Sequence, residues 1–291
     1  MKNFHKKAFS LIEISVVIVI IGILIAGVSQ GIDLYQDMRL ATARSLTQNS
    51  RVARIPDLAV WLESVSEKSF DKNEAKDNLS ISKWFDINPT DKSGNLASVS
   101  NADNKPKYIS NGINNLPALK FDGSSDYLIS SFYAIGESKQ LTYFVVTKRI
   151  YIKNYGVSSF GIIATGTTDD SNLLAFFEND GGQLRPWTQD GQASYFIPHP
   201  GNNNPYIASS IFTGTTNSVY LNGKISAYSP RNFVVSKNFD INQIIIGSRW
   251  GGGVASAFYN GYIGEIIIFS RNLSNNEHDA VSNYLRKKWA I

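Results

Sequence analysis

The stretch KAFSLIEISVVIVIIGILIAGV, residues 7–28, decides the architecture of this chain. Its apolar run from Phe9 to Val28 contains one charged residue, Glu13. As a helix, a run of this length spans about 30 Å, the thickness of the hydrocarbon core of a bilayer. Lysines precede the run and none follows it closely, which predicts a cytoplasmic N-terminus and an exported body. A plain anchor leaves Glu13 unexplained, because a carboxylate inside a membrane helix costs on the order of 3 kcal/mol at mid-depth.

The junction between the basic segment and the apolar run indicates a particular kind of processing. The small residue Ala8 lies before the run and no A-x-A pattern follows it, so a cut between Ala8 and Phe9 would leave the helix on the mature protein. This order, with FSLIE at the junction, resembles the type IV prepilin family of pilins and secretion-system pseudopilins, which usually has Gly where this chain has Ala8. The resemblance covers residues 1 to about 50. It implies cleavage by a prepilin peptidase and N-methylation of Phe9.

The resemblance also implies a role for the buried carboxylate. In this family the corresponding Glu is thought to meet the freed N-terminal amine of a neighbouring subunit. Cleavage would create a cation on Phe9, and pairing it with Glu13 of the next subunit would offset the desolvation of both charges. Such a head-to-tail contact extends into a filament instead of closing. Other pilin-like subunits and the membrane are therefore the expected partners.

Composition excludes several function classes. Three of the four net positive charges lie in residues 1–8, so the rest of the chain has a net charge of +1 and gives no argument for a nucleic-acid partner. Cysteine is absent, which removes disulfides, thiol nucleophiles and cysteine metal sites. An exported domain must then be stabilised by its core, and residues 56–291 suffice for one large domain.

Beyond Val28 the chain turns polar but keeps apolar residues at helical spacing. This predicts that the membrane helix continues and lays a partly apolar face on the body until Pro56 ends it. The residues of that face are Ile32, Tyr35, Met38, Ala41 and Leu46. The predicted organisation is a leader (1–8), a transmembrane and assembly helix (9–28), a helix extension and linker (29–55) and a domain (56–291).

The rest of the chain is mainly β in pattern. Short apolar runs separated by Gly, Asn, Asp and Ser predict an antiparallel β-sandwich; they include LAVWLES, PALKF, DYLIS, QLTYFVVTKR, FGIIAT, NLLAFFE, SVYLNG, QIIIGS and GYIGEIIIFS. Asn222-Gly223 predicts a type I′ hairpin turn. A short C-terminal helix is expected after a capping box of Ser274 and Glu277, with one face formed by Val281, Tyr284, Leu285 and Trp289.

Three segments together carry a second resemblance. They are AVWLES (59–64), NGINNLPALKFDGSSDYL (111–128) and the final stretch from IIIGSRWGGG to the end (244–291). This layout is similar to the concanavalin A-like lectin/glucanase superfamily, in its bacterial laminin-G-like jelly-roll branch, over residues 56–291. It implies two curved antiparallel sheets with ligands on a concave face or at loops on the rim.

Hydrolytic chemistry is not predicted. Some members of the superfamily cleave β-glucans with carboxylates spaced E-x-D-x-E on one strand, so that one attacks while another donates a proton. The nearest match is Glu178-Asn179-Asp180, and Gly182 and Gln183 stand where a third acid should be. A strand followed by a turn explains these residues better, so the chain is expected not to be an enzyme.

Two kinds of binding site remain as hypotheses. FDGSSDY offers oxygen ligands for Ca²⁺, an ion that related domains often bind, from Asp122, Ser124 and Asp126. A structural turn is the favoured interpretation of these residues, and no other cofactor is expected. Aromatic and amide side chains suited to sugar stacking are Trp187, Tyr195, Trp250 and Asn203. Because sandwich cores also use aromatic residues, burial is the alternative for each.

These observations predict a pilin-like subunit in a bacterial inner membrane or filament, which displays a lectin-like domain for a surface glycan or protein. A pseudopilin that contacts secreted cargo is the first alternative, and a membrane-tethered glycan hydrolase is the second. His199 and His278 share no metal-ligand spacing, and each is expected to be solvated.

Overall fold

A computed structural model of the chain describes residues 10–90, 96–130, 138–150, 159–165, 174–179, 183–188, 197–198, 200–232, 244–251 and 254–291. The chain forms two compact units, Met1–Thr42 and Ala43–Ile291. The first consists of most of one long helix, and the second contains all the strands together with a second helix.

Helix α1 runs from Leu11 to Gln48. Its apolar side chains are exposed along the first five turns, Leu11 at 85 % and Val28 at 62 %. Among the described residues this is the helix long and apolar enough to cross a membrane, with a mean hydropathy of 2.9 over its most apolar 18 residues. The predicted long apolar helix is therefore confirmed.

The end of α1 belongs to the second unit, which begins at Ala43. In this part of the helix Ala43 and Thr47 are buried, and Leu46, a residue of the predicted apolar face, is partly buried. Ile32, Tyr35 and Met38 of the same face are each more than half exposed.

The helix also ends earlier than Pro56. After Gln48 the chain makes a 3-10 turn at Val52–Arg54 before the first strand. The Arg44 guanidinium holds the end of α1 in place, since its Nε donates to the Val65 carbonyl at 3.0 Å.

The described residues of the second unit contain nineteen strands. In chain order they are β1 (Leu58–Glu63), β2 (Lys83–Phe85), β3 (Leu96–Ser98), β4 (Lys107–Ile113), β5 (Leu116–Asp122), β6 (Leu128–Ser130), β7 (Leu141–Arg149), β8 (Ser159–Thr165), β9 (Leu174–Asn179), β10 (Gln183–Thr188), β11 (Ile197–Pro198), β12 (Tyr206–Phe212), β13 (Thr216–Leu221), β14 (Lys224–Ile225), β15 (Arg231–Asn232), β16 (Ile244–Ile246), β17 (Arg249–Gly251), β18 (Val254–Ser256) and β19 (Asn260–Phe269).

The strands form two antiparallel sheets and a small hairpin. One sheet has the order β14-β13-β12-β7-β19-β5-β4, with β1 also paired to β19 and β15 to β13. The second has the order β11-β10-β9-β8-β16-β6-β3-β2, and β17 pairs with β18 alone. Hairpin neighbours such as β12 and β13 or β9 and β10 alternate with neighbours that are far apart in sequence, such as β7 and β19 or β8 and β16, so the sheets are not simple meanders.

A single apolar core lies between the two sheets. Its cluster of buried side chains draws on both, which makes the domain a sandwich. The first sheet contributes Val60, Leu62, Phe121, Val145 and Ile266, and the second contributes Trp84, Ala97, Leu128, Ile162 and Ile244. The predicted antiparallel β-sandwich is confirmed.

Helix α2 (Asn275–Trp289) covers the outer face of the first sheet. The predicted capping box is present: the Ser274 side chain accepts from the Glu277 backbone N–H, and the Glu277 side chain accepts from that of Ser274. The predicted apolar face is also buried. Because this sheet is covered on both sides, a strand such as β19 is buried along nearly its whole length.

A β-bulge at Gly264 sets which side chains of β19 point at α2. The pairing of β19 with β7 slips by one residue between Ile263 and Glu265. Ile263 and Ile266 both face the core, so the bulge turns Glu265 to the α2 side. A Cβ on Gly264 would lie 2.5 Å from Cη2 of Trp289, so only glycine fits there.

Candidate functional site

The N-terminal end of α1 holds the predicted assembly residue. The Ser10 backbone N–H donates to Glu13 Oε2 at 2.8 Å, and the Ser10 hydroxyl accepts from the Ile12 N–H at 3.3 Å. Glu13 therefore caps the first turn of its own helix, where the positive end of the helix dipole favours a carboxylate. Ala8 and Phe9, the predicted cleavage and methylation residues, lie outside the described residues.

The proposed calcium ligands form a hydrogen-bonded turn. Asp122 Oδ1 accepts from the backbone N–H groups of Ser124, Ser125 and Asp126 at 2.8 to 3.0 Å. Asp126 Oδ2 in turn accepts from the Asp122 N–H at 3.0 Å. Within the described residues no group of three or more acidic or histidine side chains is placed to hold a metal.

Burial and hydrogen bonding shift the pKa values of the two aspartates of the turn in opposite directions. Burial, helped by the charge of Asp122, raises the pKa of Asp126 to about 7. Although partial burial acts to raise the pKa of Asp122, the backbone N–H groups of residues 124 to 126 and the Ser125 hydroxyl outweigh it and lower that pKa. The geometry fits the structural turn that the sequence favoured.

The sugar-stacking candidates belong to different elements. Trp187 lies in β10 of the second sheet and Trp250 lies in the separate β17 strand. Asn203 is exposed in the loop before β12, with a φ of 60°, and its N–H donates to the Arg149 carbonyl at 2.7 Å. Tyr195 lies outside the described residues. Sugar binding by these four residues stays a prediction.

The carboxylates compared with a glucanase motif are only partly described. Glu178 lies in β9 opposite Leu184 of β10, as expected for a strand before a turn. Asp180 lies outside the described residues. The strand assignment follows the sequence prediction, and the expected lack of hydrolysis stays a prediction.

A buried charge cluster between the first sheet and α2 was missed by the sequence analysis. Its centre is Lys288, which donates from Nζ to Glu265 Oε2 at 2.8 Å and also contacts Glu63 Oε2. All three side chains are fully buried. The available signal was one acid within each of two apolar strands, LAVWLE and NGYIGEIIIF, and a lysine beside Trp289 in the last helix.

Aromatic and hydroxyl donors surround this cluster. Glu265 Oε1 accepts from Trp61 Nε1 and from the Tyr284 hydroxyl, both at 2.8 Å. Glu265 Oε2 accepts from Trp289 Nε1 at 2.8 Å as well as from Lys288. Four donors thus stabilise this carboxylate, which is the arrangement that a buried anion requires.

Glu63 is placed differently in the same cluster. Its Oε2 accepts from Lys288 and from the Thr47 hydroxyl, the latter at 3.3 Å. Its Oε1 is buried and has no hydrogen-bond partner among the described residues. Burial raises the pKa of Glu63 above its ordinary value; Lys288 opposes this effect and the charge of Glu265 adds to it. Burial acts to lower the pKa of Lys288, but the two carboxylates outweigh it and raise that pKa.

A serine of β12 contacts a histidine of α2 that is followed by an aspartate, contrary to the expectation that His278 is solvated. His278 Nε2 lies 2.9 Å from Ser209 Oγ, and Nδ1 lies 3.7 Å from Asp279 Oδ1. Both His278 and Ser209 are about 1 % exposed. The rings of Phe144 and Tyr220 lie 5.0 and 3.9 Å from the imidazole ring. A nucleophile needs access to its substrate, and Ser209 is buried. We therefore interpret the Ser209–His278 contact as a buried polar contact between β12 and α2.

Comparison with known families identifies the N-terminal segment. Residues 3–29 match the family described as the prokaryotic N-terminal methylation motif. The prepilin-type resemblance is thus confirmed for this part of the chain, and it indicates processing by prepilin peptidase and a single-pass membrane anchor. No curated protein sequence matches the chain.

Solved structures share the fold of the second unit. A Trypanosoma rangeli sialidase in complex with sialic acid is 16% identical, with a TM-score of 0.54 over 80% of this chain and 33% of that one. A T. rangeli sialidase mutant displaying trans-sialidase activity is 13% identical, with a TM-score of 0.55 over 87% and 38%. The binding domain of botulinum neurotoxin serotype D is 15% identical, with a TM-score of 0.54 over 80% and 52%.

These similarities concern architecture alone. The chain spans about a third to a half of the length of those structures, and identities this low do not carry function between proteins. They agree with the predicted concanavalin-like jelly roll. The chain therefore combines a prepilin-type N-terminus with an antiparallel β-sandwich.

Proposed function

We propose that this protein is a pilin-like subunit of a bacterial inner membrane or filament, and that its sandwich domain binds a surface glycan or protein without hydrolysing it. The observation that carries the proposal is α1 itself. Its first five turns expose apolar side chains and hold a single carboxylate, Glu13. The same helix continues to Gln48, so membrane segment and domain are joined by continuous helical backbone.

The role of Glu13 follows from charge. Before cleavage its carboxylate is satisfied by the Ser10 N–H at the start of the helix. Cleavage at Ala8–Phe9 would add an amine close to this position, and in a bundle of apolar helices an unpaired amine is costly. A neighbouring subunit's Glu13 offers the opposite charge. Assembly of subunits in this staggered way leaves their domains displayed outside the membrane, as the lysine-rich leader predicts.

Incorporation of variants into filaments tests the assembly role. Glu13→Ala should insert into the membrane at least as well as the parent, since an in-membrane charge is removed. It should be lost from filaments sheared from cells that also express the parent subunits. Asp33→Ala is the matched control, because Asp33 is an exposed acid on the same helix beyond the apolar run. Equal incorporation of both variants would contradict the proposal.

Binding by the domain is supported by its lectin-like fold and needs its own test. The detergent-extracted full chain would be applied to a glycan array, and the same glycans would be assayed for release of reducing sugar. We expect retention on some glycans, loss of retention in Trp250→Ala or Asn203→Ala, and no sugar release. Release that disappears in Glu178→Gln would favour the hydrolase alternative. Retention on secreted cargo instead of glycans would favour the pseudopilin alternative.

A further inference from the structure

The buried cluster of Glu63, Lys288 and Glu265 contains two acidic groups and only one basic group. Glu63 and Glu265 are paired directly across β1 and β19. Two carboxylates and one ammonium in a fully buried site leave a net negative charge. Desolvation of each ion costs several kcal/mol, and like charges opposite each other on adjacent strands repel. One carboxyl is therefore best held as the neutral acid.

The hydrogen bonds of the two carboxyls indicate which of them is the neutral acid. Glu265 receives four hydrogen bonds, from Trp61, Tyr284, Trp289 and Lys288, and is suited to carry charge. Glu63 has a buried Oε1 with no hydrogen-bond partner among the described residues. The lysine nitrogen is thus in contact with an electrophilic, uncharged carboxyl on one side and within 2.8 Å of a charged carboxylate on the other.

We infer that this cluster is a self-processing site, at which Lys288 Nζ and the Glu63 side chain condense into an intramolecular amide. Beside two carboxyls Lys288 is held as the ammonium, and it becomes a nucleophile when Glu265, 2.8 Å away, takes its proton. Here the nucleophile, the acyl group and a proton acceptor are all provided by one chain. The inference does not depend on the proposed function.

The atoms and electrons of the step balance without a co-reactant. The Lys288 ammonium gives a proton to Glu265 Oε2, which lies within the distance required of a general base. The free amine attacks Cδ of neutral Glu63, forming a C–N bond. The tetrahedral adduct then loses one C–O bond as the hydroxyl departs, and the proton held by Glu265 joins it as water. The nitrogen of the adduct then gives its second proton to Glu265, so in the product the amide N–H lies beside Glu265 as a neutral carboxylic acid, and the site carries no net charge.

The surroundings favour the amide over its hydrolysis. The rings of Trp61, Tyr284 and Trp289 are buried around the pair and exclude water. Holding amine and acid in contact replaces a bimolecular encounter by an intramolecular one. The linked residues are 225 positions apart, so the bond would join the strand that follows α1 to the last helix. A chain without cysteine has no disulfide to close such a loop.

Mass spectrometry of the purified full chain tests the inference. Under denaturing conditions the intact chain should weigh one water less than its sequence, once its N-terminus has been identified. Trypsin should release a branched peptide in which residues 55–68, containing Glu63, are joined to residues 288–291. Recovery of the two segments only as linear peptides would overturn the inference. A branch between residues 250–271, containing Glu265, and residues 288–291 would overturn the assignment of Glu63 as the acyl donor.

Single substitutions test the roles given to Lys288 and Glu265 in this reaction. Lys288→Arg keeps a cation but removes the amine, so the branched peptide should vanish. Glu265→Gln keeps both reacting groups and removes the proton acceptor, and the linked fraction should fall by about a hundredfold or more. Lys287→Arg is the matched control, since Lys287 is the exposed neighbour, and it should leave the branch intact. An unchanged linked fraction in folded Glu265→Gln would contradict the role given to Glu265. The tryptic digest of the parent protein tests whether the amide bond forms, even where a variant fails to fold.

Discussion

Glu63 and Glu265 lie directly opposite each other on the adjacent antiparallel strands β1 and β19, and both side chains are fully buried. Two like charges in such positions would normally separate the strands. They are held by Lys288, which reaches back from the last turn of α2 to both carboxyls. The end of α1 also touches this cluster, because the Thr47 hydroxyl lies 3.1 Å from that of Tyr284. The cluster therefore connects the first and last elements of the domain.

Removing the lysine should destabilise the domain strongly. Lys288→Met removes the proposed amide and leaves two buried carboxyls without a cation; breaking a buried pair alone typically costs about 3 to 5 kcal/mol. We expect a loss of that size in the free energy of unfolding, measured by denaturant titration followed by tryptophan fluorescence. The exposed neighbour provides the control: Lys287→Met should change the stability by less than about 0.5 kcal/mol. Equal effects of the two variants would show that the cluster does not contribute to stability.

Gly264, at the β-bulge, should not tolerate even the single methyl group of alanine. In Gly264→Ala the new Cβ would meet the Trp289 ring at 2.5 to 2.9 Å. Because both belong to packed elements, overpacking should cost about 1 to 3 kcal/mol. Thermal unfolding of the full chain in detergent would measure it. Gly22→Ala has nothing within 4 Å of the added Cβ and should leave the domain's melting temperature unchanged; a Gly264→Ala variant that melts with the parent would contradict the packing described.

Acid should destabilise the domain through His278. Burial lowers the pKa of this imidazole to about 4, despite the opposing charge of Asp279, from an ordinary value of 6.5. Between these values the unfolded chain binds a proton that the folded domain does not, so stability is complete above about pH 6.5 and falls as the pH drops towards 4. The loss should reach about 3 kcal/mol.

Comparison with His278→Gln isolates this contribution. The amide can still hydrogen-bond to Ser209 but does not titrate, so the variant should lose less stability than the parent between pH 7 and pH 4. The free energies of unfolding would be measured at both pH values in each protein. Parallel pH profiles for parent and variant would contradict the assignment.

The turn at residues 122–126 should depend on its aspartate and not on calcium. Asp122→Ala removes the acceptor of three backbone N–H groups and should cost about 1 to 2 kcal/mol. The melting temperature would be recorded with excess Ca²⁺ and with a chelator. We expect the same difference between parent and variant under both conditions. A rise in the parent's melting temperature with Ca²⁺ that is absent in Asp122→Ala would establish a metal site instead.

Processing should occur between Ala8 and Phe9. Mass spectrometry of protein extracted from a host with prepilin peptidase should show an N-terminus at Phe9 that carries a methyl group. Ala8→Gly restores the residue usual before such a cut and should be processed at least as completely. An intact Met1 terminus in both proteins would support a plain membrane anchor.

The sequence pattern was sufficient to predict elements that depend on residues close together in the chain. The turn at Asn222-Gly223 has φ values of 52° and 78°, and Leu221 pairs with Lys224 around it, as a type I′ hairpin predicts. The capping box at Ser274 needed only residues three positions apart. In contrast, the helical spacing of Ile32, Tyr35 and Met38 did not predict burial, since each is more than half exposed: periodicity shows that a face is apolar but not what covers it.

The sequence by itself determined that an apolar helix with one carboxylate precedes an antiparallel sandwich, since a largely apolar run of 20 residues and a series of short β-type runs can be recognised along the chain. Only the tertiary structure decided that Glu63, Glu265 and Lys288 share one buried site. Their meeting depends on a strand register, on the bulge at Gly264 that reverses the side-chain direction of β19, and on a helix 225 positions away from Glu63. These are long-range packing outcomes, and a one-residue slip in register would have turned either carboxylate towards the apolar core.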